Sequence, residues 1–107
     1  MATESDTATV SEIDPTTLLE WVAEGASVID VREPWEFEGG HVPGAINIPM
    51  AQATSRLDEM TDPVVLVCRS GARSGRVGEY LVANGHARVA NLVGGTERWI
   101  EEGNDVE

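Results

Sequence analysis

Two residue types are almost missing from this chain: lysine is absent and cysteine occurs once, as Cys68. A single cysteine cannot close an internal disulfide, so the sequence does not require an oxidising compartment. No stretch approaches the roughly 20 apolar residues of a membrane span, and the N-terminus MATESDTATVSE has neither the basic nor the apolar region of a signal peptide. We therefore expect a cytoplasmic protein with no membrane partner.

Positive charge is also scarce, because seven arginines face 19 acidic residues and the net charge is −12. This balance argues against a surface for nucleic-acid phosphates or anionic lipids. It makes any local cluster of arginines more informative. The sequence leaves the oligomeric state open.

The chain has 107 residues, which is enough for one domain with one core. Residues 1–8 are small and polar, and we expect them to be flexible. The predicted domain covers residues 9–104, and residues 105–107 form a short C-terminal tail.

Short apolar runs alternate with segments of helical periodicity along the whole domain. This order is typical of an α/β fold with a mainly parallel sheet covered by helices on both faces. The Asp14-Pro15 pair is a helix start, and Thr96 is a candidate N-cap for a last helix with Trp99 and Ile100 inward. Strands are predicted at 9–13, 27–31, 45–48, 64–67 and 89–93, and helices at 15–24, near 35–37, at 51–60, at 74–84 and from 96.

Cys68 directly follows the apolar run Val64–Val67 and precedes the stretch RSGARSGR. Ligands of parallel sheets collect at the carboxyl ends of the strands, where Cys68 is predicted to lie. Gly71 and Gly75 allow the loop N–H groups to turn inward as an anion site, and the start of the next helix adds partial positive charge.

The surroundings predicted for Cys68 favour its thiolate. Helix N-termini and cationic neighbours such as Arg69, Arg73 and Arg76 lower a cysteine pKa. A lone cysteine at a strand end is more often a small buried apolar residue, but the loop and its arginines favour a nucleophile that attacks an anionic substrate.

Four residues separate Cys68 from Arg73. Cysteine-dependent phosphatases carry five at this place, in a longer loop around a tetrahedral phosphate. The shorter loop suits a smaller group on the cysteine, such as a second sulfur atom.

Four segments in order resemble the signatures of single-domain rhodaneses, a family of sulfurtransferases. They are VIDVREPWEFEGGHVPGAINIP (28–49), VVLVCRSGARS (64–74), the following GRVGEYLVANG and LVGGTERWIEEG (92–103). The resemblance implies a five-stranded parallel sheet and a ping-pong reaction without metal or organic cofactor. In that reaction Cys68 takes a sulfur from an anionic donor such as thiosulfate and passes it to cyanide, a cellular thiol or a protein acceptor.

The resemblance implies roles for the loop after Cys68 and for two of its arginines. Loop N–H groups would hold the persulfide, and the side chains of Arg69 and Arg73 would meet the anionic donor. From its position one turn into the helix, Arg76 is interpreted as contributing to the positive electrostatic field or only as a surface charge. The predicted substrate-binding loop is Arg69, Ser70, Gly71, Ala72, Arg73 and Ser74.

Other signature residues are interpreted mainly as structural. Asp30 and Arg32 have the same parity at a strand end, so they are expected to form a buried ion pair or to bond the backbone. Trp35 is expected to line the pocket rim or to pack. His41 is interpreted as a hydrogen-bonded loop residue, and His86 as an exposed one.

Two alternatives stay open beside thiosulfate-type sulfur transfer. One is a relay or binding module that receives persulfide from a partner protein, which has identical loop chemistry. The other is a phosphatase or arsenate reductase on the same scaffold, against which the four-residue spacing argues.

Overall fold

A sheet of five parallel strands, in the order β1-β5-β4-β2-β3, forms the centre of the computed structural model, which describes residues 9–107. This confirms the predicted α/β class and the five-stranded sheet. Residues 1–8, which are expected to be flexible, lie outside the described residues. The strands are β1 (Val10–Ile13), β2 (Ser27–Asp30), β3 (Ile46–Asn47), β4 (Val64–Val67) and β5 (Val89–Leu92).

The helices come between the strands, as the alternation predicts. The segment 51–60 is an exception, because it forms two 3₁₀ helices in place of the expected α-helix. Met50 and Ala53 both contact the core and are three residues apart. A 3₁₀ helix has three residues per turn, so it places both side chains on the same side. The helical segments are α1 (Pro15–Ala23), α2 (Pro34–Glu38), α3 (Ala72–Ala83), α4 (Gly95–Glu101) and the 3₁₀ helices Met50–Ser55 and Leu57–Glu59.

Strand β4 is buried on both faces, and the alternation of its side chains decides where Cys68 points. Val65 and Val67 belong to the core that also contains Leu18 of α1 and Trp99 of α4. Residues of the opposite parity, Cys68 among them, join the other core. That second core contains Val64, Leu66 and Cys68 with Val77 and Leu81 of α3.

Two predictions about helix α4 are wrong in detail. The N-cap is Gly94, at φ +84°, and not Thr96, which lies inside the first turn. Ile100 does not point inward, since 52% of it is exposed, whereas Trp99 is buried as expected. The reason is that the chain turns into the helix two residues earlier, at a left-handed position that glycine adopts without strain.

The last residues of the chain contact the domain. The backbones of Glu107 and His41 exchange two hydrogen bonds, and the Glu107 carboxylate accepts one from the Gly44 N–H.

Among residues 9–107, no helix combines the length and the apolar character needed to cross a bilayer.

Gly95 allows α4 to begin against the backbone that follows β4. A Cβ at this position would lie 2.4 Å from the carbonyl oxygens of Cys68 and Arg69. We expect Gly95→Ala to lower the free energy of unfolding by about 2–4 kcal/mol, because backbone atoms must move apart. Urea unfolding monitored by circular dichroism measures the loss.

Gly103→Ala is the matched control, since Gly103 also has a positive φ but has no neighbouring atom near the added Cβ. It should cost only about 1–2 kcal/mol of left-handed strain. Equal losses for the two variants would show that the close approach at Gly95 is unimportant.

Candidate active site

Cys68 lies directly after β4 and is 1% exposed. Gly71, at φ +107°, turns the chain back over the sulfur and is the N-cap of α3. The Gly71 N–H donates to Cys68 Sγ at 3.0 Å, and the Ser74 hydroxyl lies 3.3 Å from the same atom. Helix α3 thus begins over the thiol, two residues earlier than expected, and its N-terminal N–H groups face the sulfur.

The first turn of α4 holds the other side of this loop. The Thr96 N–H and the Thr96 hydroxyl both donate to the Cys68 carbonyl, at 2.9 and 3.2 Å. The Glu97 N–H donates to the Arg69 carbonyl at 3.1 Å. Strands β4 and β5 are neighbours in the sheet, so the loops that follow them meet at this edge.

The pKa of the Cys68 thiol is below its ordinary value. Burial raises the pKa, but hydrogen bonds from the Ser74 hydroxyl and from the N–H groups of Ser74, Gly71 and Ser70 lower it by more. The main lowering influences are therefore hydrogen bonds, whereas the sequence also pointed to the three arginines. Such a thiol supplies more thiolate at neutral pH than a free cysteine does.

Asn91 of β5 belongs to the candidate site, although the sequence pattern did not predict it. Its side-chain amide donates to the Gly71 carbonyl at 3.1 Å and to Glu12 at 3.2 Å, and its carbonyl oxygen accepts from the Ser74 hydroxyl. The hydroxyl has one proton, so Asn91 and Cys68 Sγ compete for it. The available signal was a polar residue in the otherwise apolar run Val89–Val93.

Both arginines expected to meet an anionic donor lie in ion pairs with carboxylates. Arg73 makes two parallel hydrogen bonds to Glu36 of α2, at 2.9 and 3.0 Å. Arg69 donates to Glu97 of α4 at 2.8 Å. Neither glutamate belonged to the predicted site, because 37 and 28 residues separate the partners along the chain.

The two ion pairs differ in strength. The Arg73 guanidinium lowers the pKa of Glu36 to about 2, and the Glu36 side chain is only 12% exposed. In the Arg69–Glu97 pair the side chains are 68% and 48% exposed, which marks a weak surface interaction. Arg76 is exposed on α3, and no carboxylate within residues 9–107 lies in ion-pair distance of it.

Asp30 and Arg32 form the buried ion pair that their shared parity predicts. Arg32 donates to the Asp30 carboxylate at 2.8–3.1 Å and also to the Gly40 carbonyl at 2.8 Å. The pair ties the segment before Gly40 to the end of β2. This geometry indicates a structural role.

A cleft of about 470 Å³ opens beside the Cys68 loop. Trp35 is on its rim and is 74% exposed, so the packing role considered for it is wrong. Cys68 does not itself line the cleft, which reaches Arg69, the next residue. Its walls are Arg32, Trp35, Glu36, Gly39, Gly40, Arg69, Thr96, Glu97 and Ile100.

Each of the two histidines contacts a backbone carbonyl, and neither is a hydrogen-bond partner of Cys68 Sγ. His41 stacks on Phe37 with ring centroids 3.6 Å apart, and its Nδ1 lies 2.8 Å from the Phe37 carbonyl, as expected for a hydrogen-bonded loop residue. His86 is half-buried, which corrects the expectation that it is exposed. Its Nε2 lies 2.6 Å from the Met60 carbonyl, and this contact draws the ring against the chain.

Comparison with known proteins agrees with this architecture. The family model of the rhodanese-like domain matches residues 14–102 of the chain. The chain belongs to the rhodanese-like domain family. The match covers every strand except β1 and includes both loops that surround Cys68.

Individual rhodanese-like proteins resemble the chain over different lengths. The chain is 51% identical over 76 residues to the uncharacterized protein YqhL of Bacillus subtilis. The aligned residues cover 69% of the chain and 60% of YqhL. The chain is 39% identical over 98 residues to a sulfurtransferase of Allochromatium vinosum, covering 88% and 92% of the two chains. The crystal structure of a rhodanese-related protein from Thermoplasma volcanium superposes with a TM-score of 0.80 at 31% identity, over 91% and 97% of the two chains.

We expect Ser74→Ala to raise the pKa of the Cys68 thiol, because the variant loses the hydroxyl that lowers it. The rate of alkylation by iodoacetamide as a function of pH measures the pKa at this single cysteine. Ser70→Ala is the control, since it removes an exposed hydroxyl and keeps the Ser70 N–H. A shift equal to that of Ser70→Ala would contradict the assignment.

The Glu36–Arg73 pair should make stability depend on acid pH. The pKa of Glu36 is about 2 in the fold against an ordinary 4.5, so the pair stabilises the fold fully above pH 4.5 and less as the pH falls towards 2. The difference in free energy of unfolding between wild type and Glu36→Gln should shrink over this range, as measured by urea unfolding.

Glu59→Gln supplies the control for this pH profile. It removes the same charge from an exposed pair with Arg56. We expect a smaller loss of stability at neutral pH than for Glu36→Gln. A profile that is flat for Glu36→Gln would contradict the role of the pair.

Proposed function

We propose that the protein is a sulfurtransferase that carries sulfane sulfur as a persulfide on Cys68. The observation that supports this most is the Cys68 thiol itself, buried under the start of α3 with Gly71 N–H and Ser74 hydroxyl contacts that lower its pKa. The name of the Allochromatium vinosum relative, a sulfurtransferase, supports the same class of reaction.

In the first half-reaction, the Cys68 thiolate attacks the outer sulfur of a donor such as thiosulfate. A bond forms between Sγ and that sulfur while the sulfur–sulfur bond of the donor breaks, and its electron pair leaves with sulfite. The terminal sulfur of the persulfide is then an anion. The N–H groups of the loop from Arg69 to Ser74, at the N-terminus of α3, stabilise it.

In the second half-reaction, cyanide or the thiolate of an acceptor attacks the outer sulfur. The Sγ–S bond breaks, and Cys68 leaves as a thiolate. A thiol of lowered pKa is the better leaving group in such exchange, so the same hydrogen bonds serve both halves. The chemistry needs no metal and no organic cofactor.

The test is intact mass spectrometry after incubation with millimolar thiosulfate. We expect the wild-type protein to gain one sulfur atom and to form thiocyanate when cyanide is added. Cys68→Ala should lose both the adduct and the turnover, since no other cysteine is present. Faster hydrolysis of an aryl phosphate than formation of thiocyanate would overturn the proposal in favour of a phosphatase.

A further inference from the structure

The charge at the mouth of the Cys68 site is balanced although the sequence around it is basic. The two arginines of the cleft wall and Arg73 of the Cys68 loop each face a carboxylate: Arg32 pairs with Asp30, Arg69 with Glu97 and Arg73 with Glu36. A dianion that approaches the cleft therefore meets as many fixed carboxylates as guanidinium groups. The remaining charge of the chain is strongly negative, at −12 overall.

The two carboxylates of the cleft differ in how firmly they hold their arginine. Glu36 is nearly buried, remains ionised above about pH 2 and binds Arg73 through two parallel hydrogen bonds. The Arg73 guanidinium is therefore not available to bind an anionic donor. Glu97 is half-exposed and is joined to Arg69 by a single hydrogen bond. Both residues line the cleft, and Arg69 directly follows Cys68 in the chain.

The uncharged part of the mouth is apolar. The side chains of Trp35 and Ile100 lie on the cleft wall and are both more than half exposed. An organic group attached to the sulfane sulfur has apolar surface to bury against these two side chains, which the sulfonate of thiosulfate lacks.

We propose that Glu97, backed by Glu36, selects the charge of the sulfur donor, so that the site favours a donor with an organic group and at most one negative charge over the thiosulfate dianion. This inference rests on the proposed sulfur transfer through Cys68. Glu97 acts by repelling the second charge and by occupying Arg69. The reaction at the thiolate is unchanged: Sγ bonds to the outer sulfur, and the donor remainder leaves with the electron pair as a sulfinate or a thiolate.

Methanethiosulfonate is the probe, because it carries the same kind of sulfane sulfur as thiosulfate with one negative charge and a methyl group. We expect wild type to have a higher kcat/KM for methanethiosulfonate than for thiosulfate. Glu97→Gln should raise kcat/KM for thiosulfate by about three- to tenfold, the size of a screened charge repulsion at close range. The value for methanethiosulfonate should rise less.

Glu102→Gln is the matched control. Glu102 lies just after α4 and pairs with Arg98, so the substitution removes one negative charge and one ion pair away from the cleft. It should leave both values of kcat/KM unchanged. In the Glu97→Gln background, Arg69→Gln should cancel the gain for thiosulfate, because the double variant has the same net charge at this wall as the wild-type pair.

The inference is overturned if Glu97→Gln has no effect on thiosulfate, if it raises both donors equally, or if Glu102→Gln gives the same gain. Failure of the proposed function has a different signature. In that case neither donor adds sulfur to Cys68 in the wild-type protein, as seen by intact mass.

Discussion

The close contact between the backbone after β4 and the first turn of α4 is the constraint on which the site depends. The N–H groups of Thr96 and Glu97 bind the carbonyls of Cys68 and Arg69, and this approach is open only because Gly95 has no Cβ. With those carbonyls held from one side, the chain is free to turn at Gly71 over the sulfur. The start of α3 is thereby positioned above Cys68.

Hydrogen bonds and not free cations make this position suitable for a thiolate. The arginines around the cleft are paired with carboxylates, whereas N–H groups of the loop and the Ser74 hydroxyl point at the sulfur. Fixed backbone dipoles stabilise charge without the reorganisation that a flexible side chain needs. In the proposed persulfide, the small anionic sulfur on Cys68 would lie close to these donors, whereas a larger anion in the cleft would meet paired charges.

Much of the fold could be predicted from particular segments. The run Val64–Val67 is too short and too β-branched for a helix, and it is the buried strand β4. The segment 51–60 was harder, since its helical pattern does not distinguish an α-helix from the two 3₁₀ turns that packing selects. The N-cap of α4 was also missed, because Thr96 is a good capping residue and only the contact with Cys68 shows why Gly94 takes that place.

The sequence by itself determined the place of Cys68 at a strand end and the loop that surrounds it, and it predicted Cys68 as the nucleophile, because these features are local and follow from residue type and spacing. The partners of Arg69 and Arg73 were decided only by the tertiary structure. Glu97 and Glu36 belong to other elements, and local spacing carries no information about which carboxylate the sheet order brings near. The same holds for Asn91, whose contacts with Ser74 and Gly71 arise because β5 lies beside β4.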